Sequence, residues 1–231
     1  MTTDIIDRGD LAATAEPRDF IAMRHQMVVS QLRPNAVTDQ RVVAAMATLP
    51  RERFLPADVR GQAYRDTSIP LGEGRHANLP MATGRLLNAA DLLAGDRVLL
   101  IGAAGGYTAA LLSGIVASVV AVESLPALCV LAGEALAGRS NVTLVEGPLA
   151  EGAADGQPYD VLIVDGAIAH VPDAIVHQVR PGGRVATGLS ERGITRLAAG
   201  RRSAGGFGLV PFADCDCVVL PGFDRPAGFR F

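Results

Sequence analysis

From residue 97 onward, short unbroken apolar runs alternate with segments whose apolar residues recur every three or four positions. Unbroken runs suit strands buried on both faces, and their alternation with helical spacing predicts parallel strands joined by crossover helices. The pattern places strands at 97–101, 118–122, 142–145 and 159–164, and helices at 107–115, 126–137 and 172–178. Pro181-Gly182-Gly183 predicts a turn into a strand at 184–187. Glycine-punctuated segments near 193–198, 209–212 and 216–220 predict antiparallel strands closing the sheet. Ahead of this region, Phe20, Met23 and Met27 follow helical spacing. Thr38 is expected to cap a second helix, with Val42, Val43, Met46 and Leu49 on one face and Pro50 as its stop. Pro80 opens a third helix running to Leu93, and Gly95-Asp96 turns into the first strand. Residues 54–80 show no clear period, and a connection of that length is often functional.

The expected fold class is therefore α/β, Rossmann-like, with a mostly parallel sheet, helices on both faces and an N-terminal helical extension. Residues 1–18 are expected to form a loose or docking tail. Residues 19–94 supply the helices and a covering loop, and 95–231 the Rossmann-like part, as one compact unit.

The chemistry concentrates where the first strand breaks. Gly102-Ala-Ala-Gly105-Gly106-Tyr107 follows the run Val98 to Ile101, and Glu123 ends the next apolar run. Glycines at such a turn let the backbone approach a ligand, and a carboxylate at the end of the second strand can accept hydrogen bonds from two ribose hydroxyls. A dinucleotide fingerprint places glycines where Ala104 and Tyr107 stand. That weakens a pyrophosphate ligand and favours a nucleoside without phosphates, such as S-adenosylmethionine. Tight strand-to-helix packing alone would also use small residues here. In a parallel sheet the ligand lies beyond the carboxyl ends of the strands, where Gly102, Glu123, Glu146 and Asp165 all fall.

Composition narrows the setting. The 231 residues are 49% hydrophobic and 19% charged, enough for a sizeable core. A net charge of -3, 4% aromatics and no tryptophan argue against a nucleic-acid partner. Asp4, Asp7, Arg8 and Asp10 interrupt any apolar leader, and no run approaches the ~20 residues of a membrane span. Three cysteines (Cys129, Cys215 and Cys217) lack metal-type spacing and suit a reducing cytoplasm, so no metal is expected. The acids and histidines at Asp165, His170, Asp173 and His177 have no metal spacing either and read as surface or strand-end residues.

Several motifs in one order resemble the protein-L-isoaspartate O-methyltransferases. They are Met27-Val-Val-Ser-Gln31-Leu32-Arg33, Leu49-Pro50-Arg51-Glu52-Arg53-Phe54-Leu55-Pro56, Ala63-Tyr64-Arg65-Asp66 and Ile69-Pro70-Leu71-Gly72-Glu73-Gly74. The turn at Gly102 to Tyr107, Pro158-Tyr159-Asp160 and Pro181-Gly182-Gly183-Arg184 continue the match over about residues 20–190. The resemblance implies S-adenosylmethionine as methyl donor, S-adenosylhomocysteine as product, and isoaspartyl-containing proteins or peptides as substrate. It implies methyl esterification of the isoaspartyl carboxylate, a protein-repair reaction. No strong base is needed, since the carboxylate is ionised at neutral pH; alignment and charge neutralisation carry the catalysis.

Carried over residue by residue, the resemblance implies cofactor contacts at Gly102, Gly106, Tyr107, Glu123, Glu146 and Gly147, and an acceptor side at Arg75, His76 and Asn78. The departures are concentrated there. Arg75-His76-Ala77-Asn78 replaces the family's Gln-Thr-Ile-Ser, Leu100 replaces an acid, and Gly147-Pro148-Leu149 replaces Gly-Asp-Gly. Alternatives left open are a degenerate member that binds a nucleoside or protein partner without methyl transfer, or a methyltransferase for another acceptor. The sequence leaves the oligomeric state undetermined.

Overall fold

The computed structural model describes residues 19–224. The tail expected over residues 1–18 lies outside them. A seven-stranded sheet forms the centre, built from β3 (Arg97–Ile101), β4 (Ser118–Glu123), β5 (Val142–Glu146), β6 (Tyr159–Ile168), β7 (Val179–Glu191), β8 (Ile194–Ser203) and β9 (Gly206–Asp214). Their order is β5-β4-β3-β6-β7-β8-β9. β3 to β7 are parallel, and β8 and β9 add antiparallel. The chain steps outward from β3 through β4 to β5, then returns to the far side of β3 as β6. That reversal creates a switch point at the carboxyl ends of β3 and β6, where doubly wound sheets place their ligands.

Strand alternation assigns the two faces. Val98, Leu100, Val119, Ala121, Val161 and Ile163 point into the larger cluster. It also holds residues of α1 (Phe20–Met27), α2 (Gln40–Thr48), α3 (Pro80–Ala89), α4 (Tyr107–Ser113) and α5 (Pro126–Ala135). Leu99, Ile101, Val122, Leu162 and Val164 point into a second cluster with Ile175 of α6 (Asp173–Gln178). Both faces of the central strands are thus covered, as their unbroken apolar runs required.

Four local features differ from the pattern-based expectation. Residues 69–77 are not a featureless loop but a separate antiparallel hairpin, β1 (Ile69–Gly72) with β2 (Arg75–Ala77). Asp39, not Thr38, caps α2, its carboxylate accepting from the Arg41 amide at 2.8 Å; the Thr38 amide instead donates to Asn88 Oδ1. The third helix ends at Ala89, because Asp91 two residues later takes a left-handed φ of 50°. Residues 216–220 form no full strand; Val219 makes a single bridge to Ala167 beside β6. Leu220 then lies over Gly102 and Gly166, where an added Cβ would sit within 2.9 Å of its side chain.

Candidate active site

The turn between β3 and α4 carries the first half of the site. Gly102 and Gly106 have φ of 81° and 94°, the left-handed region that glycine enters without a Cβ penalty. Ala104 adopts φ 49° between them, at a cost of about 1 kcal/mol for an L-residue. The closest approach is at Gly105, whose position leaves no room for a side chain: a Cβ would sit 1.9 Å from the Phe54 carbonyl oxygen. Spacing pointed to the flanking glycines and passed over this one.

Glu123 ends β4 beside that turn and is fully buried. Its Oε2 accepts from the Ala104 amide at 2.7 Å and from Arg75 Nη2 at 2.8 Å. Its Oε1 accepts from Arg75 Nε at 3.2 Å, from the Ser124 amide at 2.9 Å and from the Leu125 amide at 3.3 Å. Burial alone raises a carboxyl pKa, but the Arg75 hydrogen bond and charge, with the Ala104 and Ser124 amides, outweigh it and hold Glu123 below its ordinary value. Arg75 reaches Glu123 from β2, where strand alternation turns Arg75 and Ala77 inward. His76 lies on the other face of the hairpin, half-buried, with Nδ1 3.2 Å from the Gly74 carbonyl.

A second carboxylate, Asp165 on β6, gathers three donors. Asn78 Nδ2 donates to its Oδ1 at 3.0 Å, Thr83 Oγ1 to Oδ1 at 2.8 Å and Thr108 Oγ1 to Oδ2 at 2.5 Å. Asn78 is held from its other end, Oδ1 accepting from the Val218 amide at 3.3 Å. Gly147 is placed by its amide, which donates to the Glu123 carbonyl at 3.0 Å. Glu146 pairs in register with Glu123 on the adjacent strand and is exposed. The structure thus brings Arg75, Asn78, Gly102, Gly106, Tyr107 and Glu123 around the switch point, and leaves the His76 and Glu146 side chains outside that cluster.

Phe54, Ala103, Gly105, Tyr107, Thr108 and Asp165 are among the residues lining a cavity of about 20 Å³, room for about one water. A profile of the Protein-L-isoaspartate(D-aspartate) O-methyltransferase family matches residues 23–208. A protein-L-isoaspartate O-methyltransferase of Koribacter versatilis is 35% identical over 214 residues, covering 92% of this chain and 96% of the relative. The chain belongs to the protein-L-isoaspartate O-methyltransferase family. A second relative, protein-L-isoaspartate O-methyltransferase 1 of Rhodopseudomonas palustris, is 39% identical over 168 residues, 72% of this chain and 69% of its own length. A solved protein-L-isoaspartate O-methyltransferase superimposes with a TM-score of 0.73 at 23% identity, covering 86% of this chain and 66% of its own. A Plasmodium falciparum protein, titled a putative enzyme of this kind in complex with S-adenosyl-L-homocysteine, gives 0.70 at 14% identity, covering 88% and 99%. At those identities the structural likeness speaks to the fold alone.

The family's Leu-Pro-Arg segment supplies a residue whose role the sequence did not reveal. Arg51, in the turn Arg51–Phe54, is 2% exposed and lines the same cavity. Its Nη2 donates to the Asn78 carbonyl at 2.5 Å and its guanidinium lies 4.9 Å from the Tyr107 ring centroid. Its Nε and the buried Tyr107 hydroxyl have no partner among the described residues. Burial lowers the Arg51 pKa and raises that of Tyr107. A buried guanidinium with a spare donor suits an anionic group. Removing Arg51 takes away a buried charge that has no ion-pair partner among the described residues, which favours folding, but leaves the Asn78 carbonyl without this donor, which costs about 1 kcal/mol or more. Arg51→Met is expected to shift the melting temperature by no more than ~4 °C while weakening an anionic ligand that reaches the guanidinium at least tenfold. Thermal melts run beside ligand titrations check this, and a loss of ~10 °C or more would assign Arg51 a structural role instead.

Proposed function

We propose that the chain is an S-adenosylmethionine-dependent methyltransferase that esterifies the carboxylate of isoaspartyl residues in damaged proteins, in the cytoplasm. The observation that carries this reading is Glu123. It is a fully buried carboxylate at the end of β4, bonded to an amide of the glycine turn at the sheet's switch point. Family membership supplies the reaction. The absence of a helix long and apolar enough to cross a membrane among the described residues, and three free cysteines, accord with the location.

The donor set fits the cofactor's chemistry once Arg75 withdraws from Glu123. Glu123 would take the ribose hydroxyls, and the backbone of 102–106 would lie against the methionine portion. Arg51, with its unpartnered Nε, would hold a carboxylate. When bound, the cofactor supplies an electrophilic methyl group on a sulfonium. The protein's part is alignment and neutralisation: the acceptor carboxylate is already a nucleophile, and Arg75 or Asn78 can fix one oxygen while the other faces the methyl group. Asn78 is pre-aimed by its two bonds, to Asp165 and to the Val218 amide.

The test is incorporation of labelled methyl groups into an isoaspartyl peptide, with its aspartyl isomer as control. Base-labile incorporation into the first alone is the expected result. Asn78→Ala is expected to lower kcat/KM about 10- to 100-fold, the loss of one or two oriented hydrogen bonds to the reacting group. Full turnover in Asn78→Ala would remove it from the acceptor side, and no incorporation by the unaltered protein would remove the proposed reaction.

A further inference from the structure

We propose that Arg75 is exchanged between two carboxylates: it rests on Glu123 while the nucleoside pocket is closed, and moves to the acceptor's carboxylate when the cofactor's ribose takes Glu123. Cofactor and acceptor then bind cooperatively. This rests on the methyltransferase reading above and adds to it an order and a coupling.

The argument begins with the lone pairs of Glu123. A carboxylate offers about four acceptor sites. Here two oxygens already receive six donors: two from Arg75, one each from the Ala104, Ser124 and Leu125 amides, and the Ser124 hydroxyl at 3.4 Å. A ribose diol brings two more donors and finds no site left. The amides cannot leave. Ser124 and Leu125 directly follow Glu123 in the chain, and Ala104 is fixed within the glycine turn between two residues of positive φ. Arg75 can leave. It stands on a long flexible side chain, on a hairpin whose strands, among the described residues, pair with each other and not with the seven-stranded sheet.

Departure has a consequence for Arg75 itself. Its side chain is 4% exposed while it rests on Glu123. A neutral diol in its place gives the guanidinium no counter-charge, and an unpaired buried charge is strongly unfavourable. The nearby acid at Asp165 is occupied by Asn78, Thr83 and Thr108. The anion that completes the site is then the isoaspartyl carboxylate, which a guanidinium binds through two parallel hydrogen bonds. Asn78, three positions along the same segment, stands ready as a second donor. In this scheme the cofactor alone displaces Arg75 at a cost, and the acceptor offsets it. Linkage makes the coupling reciprocal.

The experiment is calorimetric titration of the full chain with S-adenosylhomocysteine, with and without saturating isoaspartyl peptide, for the unaltered protein, Arg75→Gln and Arg75→Lys. In the unaltered protein the peptide is expected to tighten S-adenosylhomocysteine about tenfold, and the aspartyl isomer to do nothing. Arg75→Gln is expected to bind S-adenosylhomocysteine about tenfold more tightly than the unaltered protein when no peptide is present, and to lose the coupling. Arg75→Lys, which keeps the charge but not the fork, is expected to retain a reduced coupling. A merely structural Arg75 would predict weaker, not tighter, binding by Arg75→Gln. That result, or a peptide effect unchanged in Arg75→Gln, would overturn the exchange and leave the methyltransferase reading standing. No binding of S-adenosylhomocysteine by any of the three proteins, with or without peptide, would overturn both.

Discussion

Glu123→Ala is expected to destabilise the protein by about 3–5 kcal/mol, whereas Arg75→Gln is expected to cost only about 1–2 kcal/mol. The asymmetry follows from what each change leaves behind. Without Glu123, the Arg75 guanidinium stays buried with its one hydrogen-bonded acceptor among the described residues gone. The Ala104 and Ser124 amides lose their carboxylate at the same time. Without Arg75, Glu123 keeps three backbone donors, which stabilise a buried carboxylate on their own. In a chain of this size 3–5 kcal/mol corresponds to a fall in melting temperature of roughly 6–20 °C, read directly by calorimetry or circular dichroism. Adding Arg75→Met to Glu123→Ala is expected to recover part of the loss, since the buried charge goes with it; no recovery in that double-mutant cycle would mean the pair is not the source.

The same pair sets a pH dependence whose sign is fixed. The Glu123 pKa is depressed in the folded state, so its contribution is present above the unfolded carboxyl value. It is lost as pH falls below the ordinary glutamate range and through the depressed folded value. Unfolding midpoints of the unaltered protein and Arg75→Gln should accordingly converge as the pH is lowered through that range.

How much of this was readable from the chain depended on separation along it. β3, β4 and the glycine turn are adjacent, and a strand buried on both faces announces itself as an unbroken apolar run such as Val98 to Ile101. Glu123 was legible for the same reason, as a lone acid ending such a run. The β1–β2 hairpin was not, because four residues containing Pro70 and Gly72 give too short an alternation to register as a strand. The partnership of Arg75 with Glu123 spans 48 positions, and Asp165 draws Asn78 and Thr83 from more than 80 positions away. Only the folded sheet brings these together. Asp165 was visible as a strand-end acid without its partners. Arg51 was visible as part of a motif without its burial, and the sole hint of its role was a cation inside the otherwise recognisable Leu-Pro-Arg segment.

Gly105→Ala is expected to be the other severe change, and for a reason unrelated to conformational freedom, since Gly105 is not among the glycines of positive φ. The obstruction is a backbone atom. A Cβ at Gly105 would lie 1.9 Å from the Phe54 carbonyl oxygen, 2.9 Å from the Phe54 carbonyl carbon and 3.2 Å from Leu131 Cδ2. Leu131 can rotate, but Phe54 cannot yield without lifting the whole turn Arg51–Phe54. That turn carries the two side chains packed on Tyr107, the Phe54 ring at 5.6 Å and the Arg51 guanidinium at 4.9 Å. It also carries the Arg51 bond to the Asn78 carbonyl. Over-packing of a filled site costs about 1–3 kcal/mol, and a rigid backbone neighbour places this case at the upper end or beyond. The expected result is a fall in melting temperature of roughly 6–12 °C, with loss of isoaspartyl methylation as Arg51 and Asn78 lose their alignment. Gly133→Ala is the matched control. It lies exposed within α5 with nothing within 4 Å of an added Cβ, so helix propensity should make it neutral or stabilising by up to ~1 kcal/mol. Equal melting temperatures for the two variants would show that the Phe54 segment yields without cost, and that the glycine turn is not held down by the N-terminal layer at all.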